Sequence, residues 1–322
     1  MKRRGRVLRA FSARHGLSHR GASLRLARAL VDFGAEESFE RAAARVLEHY
    51  GVEVSVWRVR SATYEHARAC GACSKKAGPE KAATLITQMD GSMIPTVKTS
   101  ARALDQRTTR EVSWREARLC LAREKDSRSP VYGVTLGGPQ VAGELWREVA
   151  LSAGLGEQTR VHGVGDGAPW IVEQFDRQFG PQGGYLLDFY HVSEYLAAAA
   201  PRQTGGASWL KRQQGYLRKN RLAPTLQSLS RRLEKAGAKE QPVRAAHRYL
   251  TQRRKHLDYA GALEQELPIG SGEVESGHRH VIQKRLKLAG AWWQESNAEA
   301  MLSLRASRAN GLWESYWQSL RN

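Results

Sequence analysis

The 322-residue sequence is poor in cysteine, with only Cys70, Cys73 and Cys120. Three thiols cannot build a disulfide framework, which excludes a small disulfide-stapled scaffold and points to a reducing compartment. Long apolar runs are also missing. A membrane-spanning helix needs about 20 apolar residues, and the longest candidate is Tyr195 to Ala200. The stretch Met1 to Arg20 is basic but has no apolar segment behind it, so it does not read as a secretory signal. It could mimic a transit peptide, although the same positions also read as the start of a helical domain. No internal repeat or low-complexity segment is visible.

Acid is locally scarce as well. Residues 1–30 hold nine Lys and Arg and no acid, and residues 201–260 hold fifteen against Glu234, Glu240 and Asp258. These two blocks account for the whole formal net charge of +19; the rest of the chain is close to neutral. Two basic blocks on a near-neutral body suggest a polyanion held at two places. Solvated helix faces would give the same composition. An acidic membrane surface fits less well, because the second block has no broad apolar face. With 41% hydrophobic residues the chain can bury a sizeable core. The expectation is a soluble, cytoplasmic, cationic protein of about two domains.

The chain begins with helical spacing. Leu26, Leu30 and Phe33 form one stripe, with Gly34 as a candidate stop. Phe39, Ala43, Val46, Leu47 and Tyr50 form a second, closed by Gly51. Ser55 is a good N-cap for a third helix presenting Trp57, Arg58, Arg60, Ser61 and Tyr64. Three short helices with a tight turn before the last match a helix-turn-helix, whose final helix can enter a major groove. Gly71 to Lys81 reads as a linker. Its Cys70 and Cys73 have metal-ligand spacing but no second pair to complete a zinc site.

From Ala82 the pattern changes to strands. Ala83 to Gly91 ends in an Asp-Gly, and Glu111 to Arg123 and Val131 to Leu136 follow. Pro139 to Leu155 is helical, Val161 to Gly167 is a strand with a second Asp-Gly, and Pro169 opens a helix. Tyr185 to Phe189 is a buried strand, with a helix from near His191. This order predicts an α/β fold with a mixed sheet. Residues 192–262 are helical, broken by Pro201, Gly205-Gly206, Pro224 and Pro242. A loop follows, then one helix over Glu273 to Leu288, then an amphipathic tail to Trp317.

Three carboxylates stand out within that order. If the strands ending at Asp90 and Asp166 are parallel neighbours, their Cα atoms lie about 5 Å apart. Two anions so close repel, and divalent cations relieve the repulsion. Glu275, near the start of a later helix, could add a third carboxylate. Each acid also has a plainer role open to it: a hairpin turn for Asp90, a helix N-cap for Asp166, a partner for Arg279 in the case of Glu275.

Four motifs then occur in order: Gln88-Met89-Asp90-Gly91, Val164-Gly165-Asp166-Gly167-Ala168-Pro169-Trp170-Ile171, Leu187-Asp188-Phe189-Tyr190-His191 and Val274-Glu275-Ser276-Gly277-His278-Arg279. Together they resemble insertion-sequence transposases with an Asp-Asp-Glu (DDE) triad, in the Mutator-like assemblage and most like the ISKra type. The resemblance extends upstream to Asp32 through Phe39 and Glu48 through Val52. Downstream it runs from Ala300 to Trp317, so it covers nearly the whole chain. It implies an RNase H-like catalytic domain with an all-α insertion between the second Asp and the Glu. The organisation it suggests is a helix-turn-helix-like region and linker at 1–80, the strands and second Asp at 81–195, a basic insertion at 196–266 and the Glu-bearing helices at 267–322.

The implied activity is metal-dependent strand cleavage at transposon ends and strand transfer to target DNA. The catalytic and metal-binding residues are then Asp90, Asp166 and Glu275, holding two divalent cations, Mg2+ or Mn2+. Asp188 and Glu273 compete for these roles, but the Gly-Asp-Gly-Ala and Glu-Ser-Gly-His-Arg stretches favour Asp166 and Glu275. Arg58, Arg60, His191, His278, Arg279, Lys284 and Arg285 are candidate DNA contacts, while Trp292-Trp293 reads better as core than as a stacking platform. The implied partners are terminal inverted repeats, target DNA and a second copy of the chain, as a homodimer or higher oligomer on the nucleoid. A DNA-binding protein without chemistry and a structure-directed nuclease remain open alternatives.

Overall fold

The computed structural model describes residues 22–71, 82–99, 106–201, 205–236 and 241–321. The basic start, Cys73 and most of the Gly71–Lys81 stretch lie outside them. The first elements are helices α1 (Leu24–Glu36), α2 (Phe39–Tyr50) and α3 (Val56–Gly71). Strands β1 (Thr84–Lys98), β2 (Glu111–Glu124) and β3 (Val131–Thr135) follow, then α4 (Pro139–Ser152), β4 (Arg160–Gly165), α5 (Pro169–Phe179) and β5 (Gly183–Leu187). Helices α6 (Phe189–Ala199), α7 (Gly206–Leu217), α8 (Leu222–Ala236), α9 (Gln241–Gln252) and α10 (Tyr259–Glu264) come next, the last four within the 196–266 stretch expected to be a helical insertion. Helix α11 (Gly272–Gly277) continues through a π-helical turn, His278–Gln283, into a short turn, Lys284–Leu286. Helices α12 (Glu295–Ala309) and α13 (Trp313–Ser319) end the described chain. None of the described helices is long and apolar enough to cross a membrane.

The described residues fall into two compact units, one within Met1–Ser74, Met93–Arg115 and Arg279–Asn322 and the other within Lys75–Ser92 and Glu116–His278. In the first, serine side chains start the helices: Ser23 accepts from the Leu26 amide, Ser38 from Arg41 and Ser55 from Arg58. Gly51 closes α2 in the left-handed region at φ 64°. Leu30, Ala42, Val46 and Val59 form the core of the three helices. Gly34 does not stop α1, which runs on to Glu36 with Thr63 standing directly over the missing side chain. His66 joins α3 to α13 through the Tyr316 hydroxyl, 2.7 Å from its Nδ1. Burial opposes the charge on Glu36, but a hydrogen bond from Lys284 and the nearby Arg305 and Arg308 guanidiniums hold its carboxyl below the usual range.

The second unit is built on a five-stranded mixed sheet of order β3-β2-β1-β4-β5. β1, β4 and β5 are parallel, and β2 and β3 are antiparallel. β1 and β2 also run antiparallel, since Thr84 bonds Lys125 at one end and Thr96 bonds Ser113 at the other. β1 is longer than its sequence suggests. The Asp-Gly at 90–91 was expected to end it, but the strand continues to Lys98, so Asp90 sits mid-strand rather than in a hairpin turn. β2 keeps it company over that extra length, and this long-range pairing leaves no local signal.

Alternation along β1 sends Leu85, Thr87 and Met89 to one face, where the Trp146 indole of α4 donates to Thr87 and Phe175 of α5 packs against Gly163. Trp146, Phe175, Phe179 and Tyr185 form an aromatic cluster there. The opposite face carries Gln88 and Asp90 from β1 and His162 from β4. It is covered by the segment leading into α11.

His162 fixes that cover through its Nε2, 2.8 Å from the Pro268 carbonyl. Burial pushes its pKa below the ordinary 6.5, the carbonyl working in the opposite direction. Protonation therefore favours the unfolded chain, so stability falls as pH drops through about 6.5 toward the lower folded value. Denaturant titrations of the wild-type chain and His162→Gln across that range check this. The expected result is a shallower acid loss in the variant.

Candidate active site

The parallel ladders set three aspartates at one level. β1 pairs with β4 from Thr84 opposite Arg160 to Thr87 opposite Gly163. Three more residues in step bring Asp90 beside Asp166, and Gly165 already lies against the Met89 carbonyl. β4 pairs with β5 up to Gly165 opposite Leu187, and the Asp188 amide donates to the Gly165 carbonyl at 2.7 Å, so Asp188 follows beside Asp166. Paired residues of parallel strands face the same way at about 4.8 Å strand spacing. The three acids thus share one face at the carboxyl ends of β4 and β5, where open α/β sheets place ligands.

Their environments differ sharply. Asp188 is buried and its carboxylate is saturated: Oδ1 accepts from the Tyr190 and His191 amides at 2.6 and 3.1 Å, and Oδ2 from the Ser271 amide and hydroxyl at 2.7 and 2.5 Å. It caps α6 and ties down the loop before α11, leaving no lone pair for another ligand. Asp166 is half-buried, and its Oδ1 accepts from the Ala168 amide at 2.8 Å. Gly167 beside it has φ 74°, and a Cβ there would stand 2.3 Å from Leu187 and 2.9 Å from Arg253. Only glycine makes that turn. Asp90 is half-exposed, with Oδ1 accepting from the Gly91 amide at 2.7 Å.

Helix α11 lies on the same face as these acids. The buried Gln88 side chain accepts from the Val274 amide at 2.9 Å, and four residues on His278 brings Nε2 to 3.1 Å from Asp90 Oδ2. Two residues of strand rise about 6.6 Å and four of helix about 6 Å, so strand and helix keep step. The His278 ring is buried, and neither nitrogen makes a well-aligned hydrogen bond; its approach to Asp90 is an electrostatic contact off the hydrogen-bond line. Glu275 stands one turn before His278, where i and i+3 side chains are neighbours. It is exposed and carries no ion pair among the described residues. Glu273 points elsewhere, gripped by Arg123 through two bonds of 2.7 and 2.6 Å.

Gly277 allows this close approach, because a Cβ there would meet Leu119 at 2.7 Å and Tyr132 at 3.0 Å. Gly277→Ala is therefore expected to cost about 1–3 kcal/mol by overpacking. It would also lift Glu275 and His278 off the sheet. Thermal unfolding, compared with Ser276→Ala as a control at an exposed position of the same helix, reads the stability part.

Among the described residues, no three His, Cys, Asp or Glu side chains are drawn close enough to grip a metal ion as they stand. The donor chemistry nonetheless suits hard cations. Among the described residues, Asp90, Asp166 and Glu275 offer carboxylate oxygens with no Lys or Arg partner, while Asp188 takes four donors and Glu273 is paired with Arg123.

The other sequence-derived candidates fall into distinct settings. His191 starts α6 beside the acids, its amide on Asp188, its Nδ1 3.6 Å from Glu194 and its ring 6.0 Å from that of Tyr249. Arg60 is exposed and Arg58 half-buried on α3, next to an exposed Trp57. Arg279 is exposed, and Lys284 pairs with Glu36 at 2.9 Å. Arg285 is a correction. It is buried between the Phe39 and Trp293 rings, donates to the Gly34 carbonyl at 3.0 Å, and has its pKa lowered to about 10 by burial. It is a structural cation that no phosphate reaches. Of the tryptophan pair, Trp293 is core and Trp292 is exposed.

Two residues of the frame escaped sequence reading. Tyr249 of α9 donates its hydroxyl to the Asp166 carbonyl at 2.5 Å, and Arg253 bonds the Gly167 carbonyl at 2.8 Å. Both come from the insertion more than 80 residues away, and only the tertiary fold brings them to the second Asp-Gly. A cleft of about 850 Å3 opens instead at the amino ends of the parallel strands, around Thr84, Arg160 and Gly183. It holds none of these acids, and the reactive end of such a sheet is the other one.

The molecule is thus an α/β protein in which Asp90, Asp166 and Asp188 lie side by side on one face of the sheet, with the helix that bears Glu275 packed on the same face. Residues 142–318 match the Uncharacterised protein family UPF0236, and the chain belongs to that family. It is also similar to a "UPF0236 protein in vanSb 3'region" of Streptococcus gallolyticus, 28% identical over 155 residues, covering 48% of this chain and 34% of that protein. The chain spans about a third of the length of that curated relative.

Proposed function

We propose that this protein is a DDE transposase of the ISKra type, with an RNase H-like catalytic domain that cuts DNA at transposon ends and joins the freed end to target DNA. The observation that carries the reading is the register that sets Asp90 beside Asp166 under the helix bearing Glu275. The element order agrees with it: three consecutive strands, then two parallel strands reached through helices, then an all-α insertion before the Glu helix. The two basic blocks supply the charge to hold DNA.

Asp90, Asp166 and Glu275 would hold Mg2+ or Mn2+, which when bound supplies Lewis acidity and an activated water. The protein's own groups do the rest. Asp188 and Ser271 fix the loop from which α11 springs, Tyr249 and Arg253 hold the Asp166 turn, and His278 sets the position of the Asp90 carboxylate. Arg58, Arg60, Arg279 and the arginines and lysines of the insertion bind phosphates. Pairing two transposon ends calls for at least two copies of the chain.

The test uses a supercoiled plasmid carrying the DNA that flanks this protein's own coding sequence. With Mg2+ or Mn2+ the wild-type chain should nick at the element boundary, and a chelator should stop it. Cutting that ignores the boundary and joins nothing would favour a structure-directed nuclease. Salt-sensitive binding with no cutting would favour a DNA-binding protein without chemistry.

A further inference from the structure

The helical insertion carries a second feature that the acid site does not use. Between α7 and α8 opens a cleft of about 390 Å3, lined by Trp209, Arg212, Gln213, Tyr216, Arg231 and Arg232, with no carboxylate in its wall. Its volume lies in the range of small-molecule sites, sized for one nucleotide rather than a duplex. Trp209 is locked in place, its indole donating to Ser228 at 2.9 Å and the Arg232 guanidinium lying 5.6 Å over its ring. Tyr216 is half-buried and braced by Arg221, 5.2 Å from its ring centre. Arg212 and Arg231 are exposed at the rim and have no acidic partner among the described residues. Gln213 is buried in the lining, and its Oε1 has no hydrogen-bond partner. A buried acceptor left unmatched costs free energy that an arriving N–H recovers.

We infer that this cleft binds a nucleoside phosphate, with the base against Tyr216 and within reach of Gln213 and the phosphate between Arg212 and Arg231. Aromatic rings that accept a base beside cations that accept its phosphate are the means by which proteins hold single-stranded nucleic acid. The inference rests on the DNA reading above only for the source of the nucleotide, taken to be an unpaired residue of a DNA strand.

The experiment irradiates the full-length chain with a short single strand containing 5-iododeoxyuridine and maps the crosslinked peptide. Attachment at Tyr216 or Trp209 is expected. In Arg212→Ser/Arg231→Ser, whose changes lie at the exposed rim, single-strand affinity should fall about tenfold and the salt slope by roughly 0.7 for each lost phosphate contact. Duplex affinity, to which these two arginines add only part of the insertion's charge, should fall markedly less than single-strand affinity. Deoxyadenosine monophosphate that blocks the crosslink at micromolar concentration assigns the cleft to free nucleotides, and blocking by strands alone assigns it to DNA; both outcomes support the site. Crosslinks confined to residues outside 205–236, or equal losses for single strand and duplex, overturn it. A chain that crosslinks at Tyr216 but never nicks keeps this cleft and loses the transposase reading, and one that nicks without the crosslink does the reverse.

Discussion

Asp90→Asn should abolish metal-dependent nicking, by at least about a thousandfold, while leaving the fold intact. The magnitude follows from the role proposed for the carboxylate. A bound cation contributes several kcal/mol of transition-state stabilisation, and each 1.36 kcal/mol is a factor of ten. The amide keeps the shape of the acid but loses its charge and half its acceptor capacity. Asp90 is half-exposed with one backbone bond to Gly91, so unfolding free energy should change by less than about 0.5 kcal/mol. Nicking rates and denaturant midpoints on the same preparation separate the two effects. A variant that cuts at the wild-type rate removes Asp90 from the chemistry.

Asp188→Ala should do the opposite kind of damage. It deletes the N-cap of α6, worth about 1 kcal/mol, and strands the Ser271 amide and hydroxyl without acceptors in a buried setting, at roughly 1–3 kcal/mol each. The expected loss is about 3–5 kcal/mol, among the largest a single substitution gives. Asp188→Asn should fall between, since one amide oxygen can still accept while the new NH2 faces donors. Urea midpoints order the three proteins. Equal stability of Asp188→Ala and wild type would mean that the carboxylate does not hold the loop.

Asp166 and Asp188 show how far the sequence could be read. Both follow buried-strand patterns, and spacing alone did not separate them; the four donors around Asp188 do. Glu273 and Glu275 stood equally close, and Arg123, 150 residues upstream, takes the first of them. Elements with strong local signals were legible: the serine cap of α3, Gly51 closing α2, Pro169 opening α5. What was not legible depends on distant partners. β1 runs past its Asp-Gly because β2 pairs with it, α1 runs past Gly34 because Thr63 fits there, and Arg285 is buried because Phe39, from far along the chain, encloses it together with Trp293.

The central claim is that Asp90, Asp166 and Glu275 meet around one pair of cations. Replacing Mg2+ by Fe2+ and adding ascorbate with peroxide generates hydroxyl radicals at the metal, which cut the nearest backbone. Mapping the fragments should reveal cuts beside residues 90, 166 and 275 together, all suppressed by excess Mg2+. Cuts that miss the neighbourhood of Glu275, or that persist unchanged when Mg2+ is in excess, would contradict it.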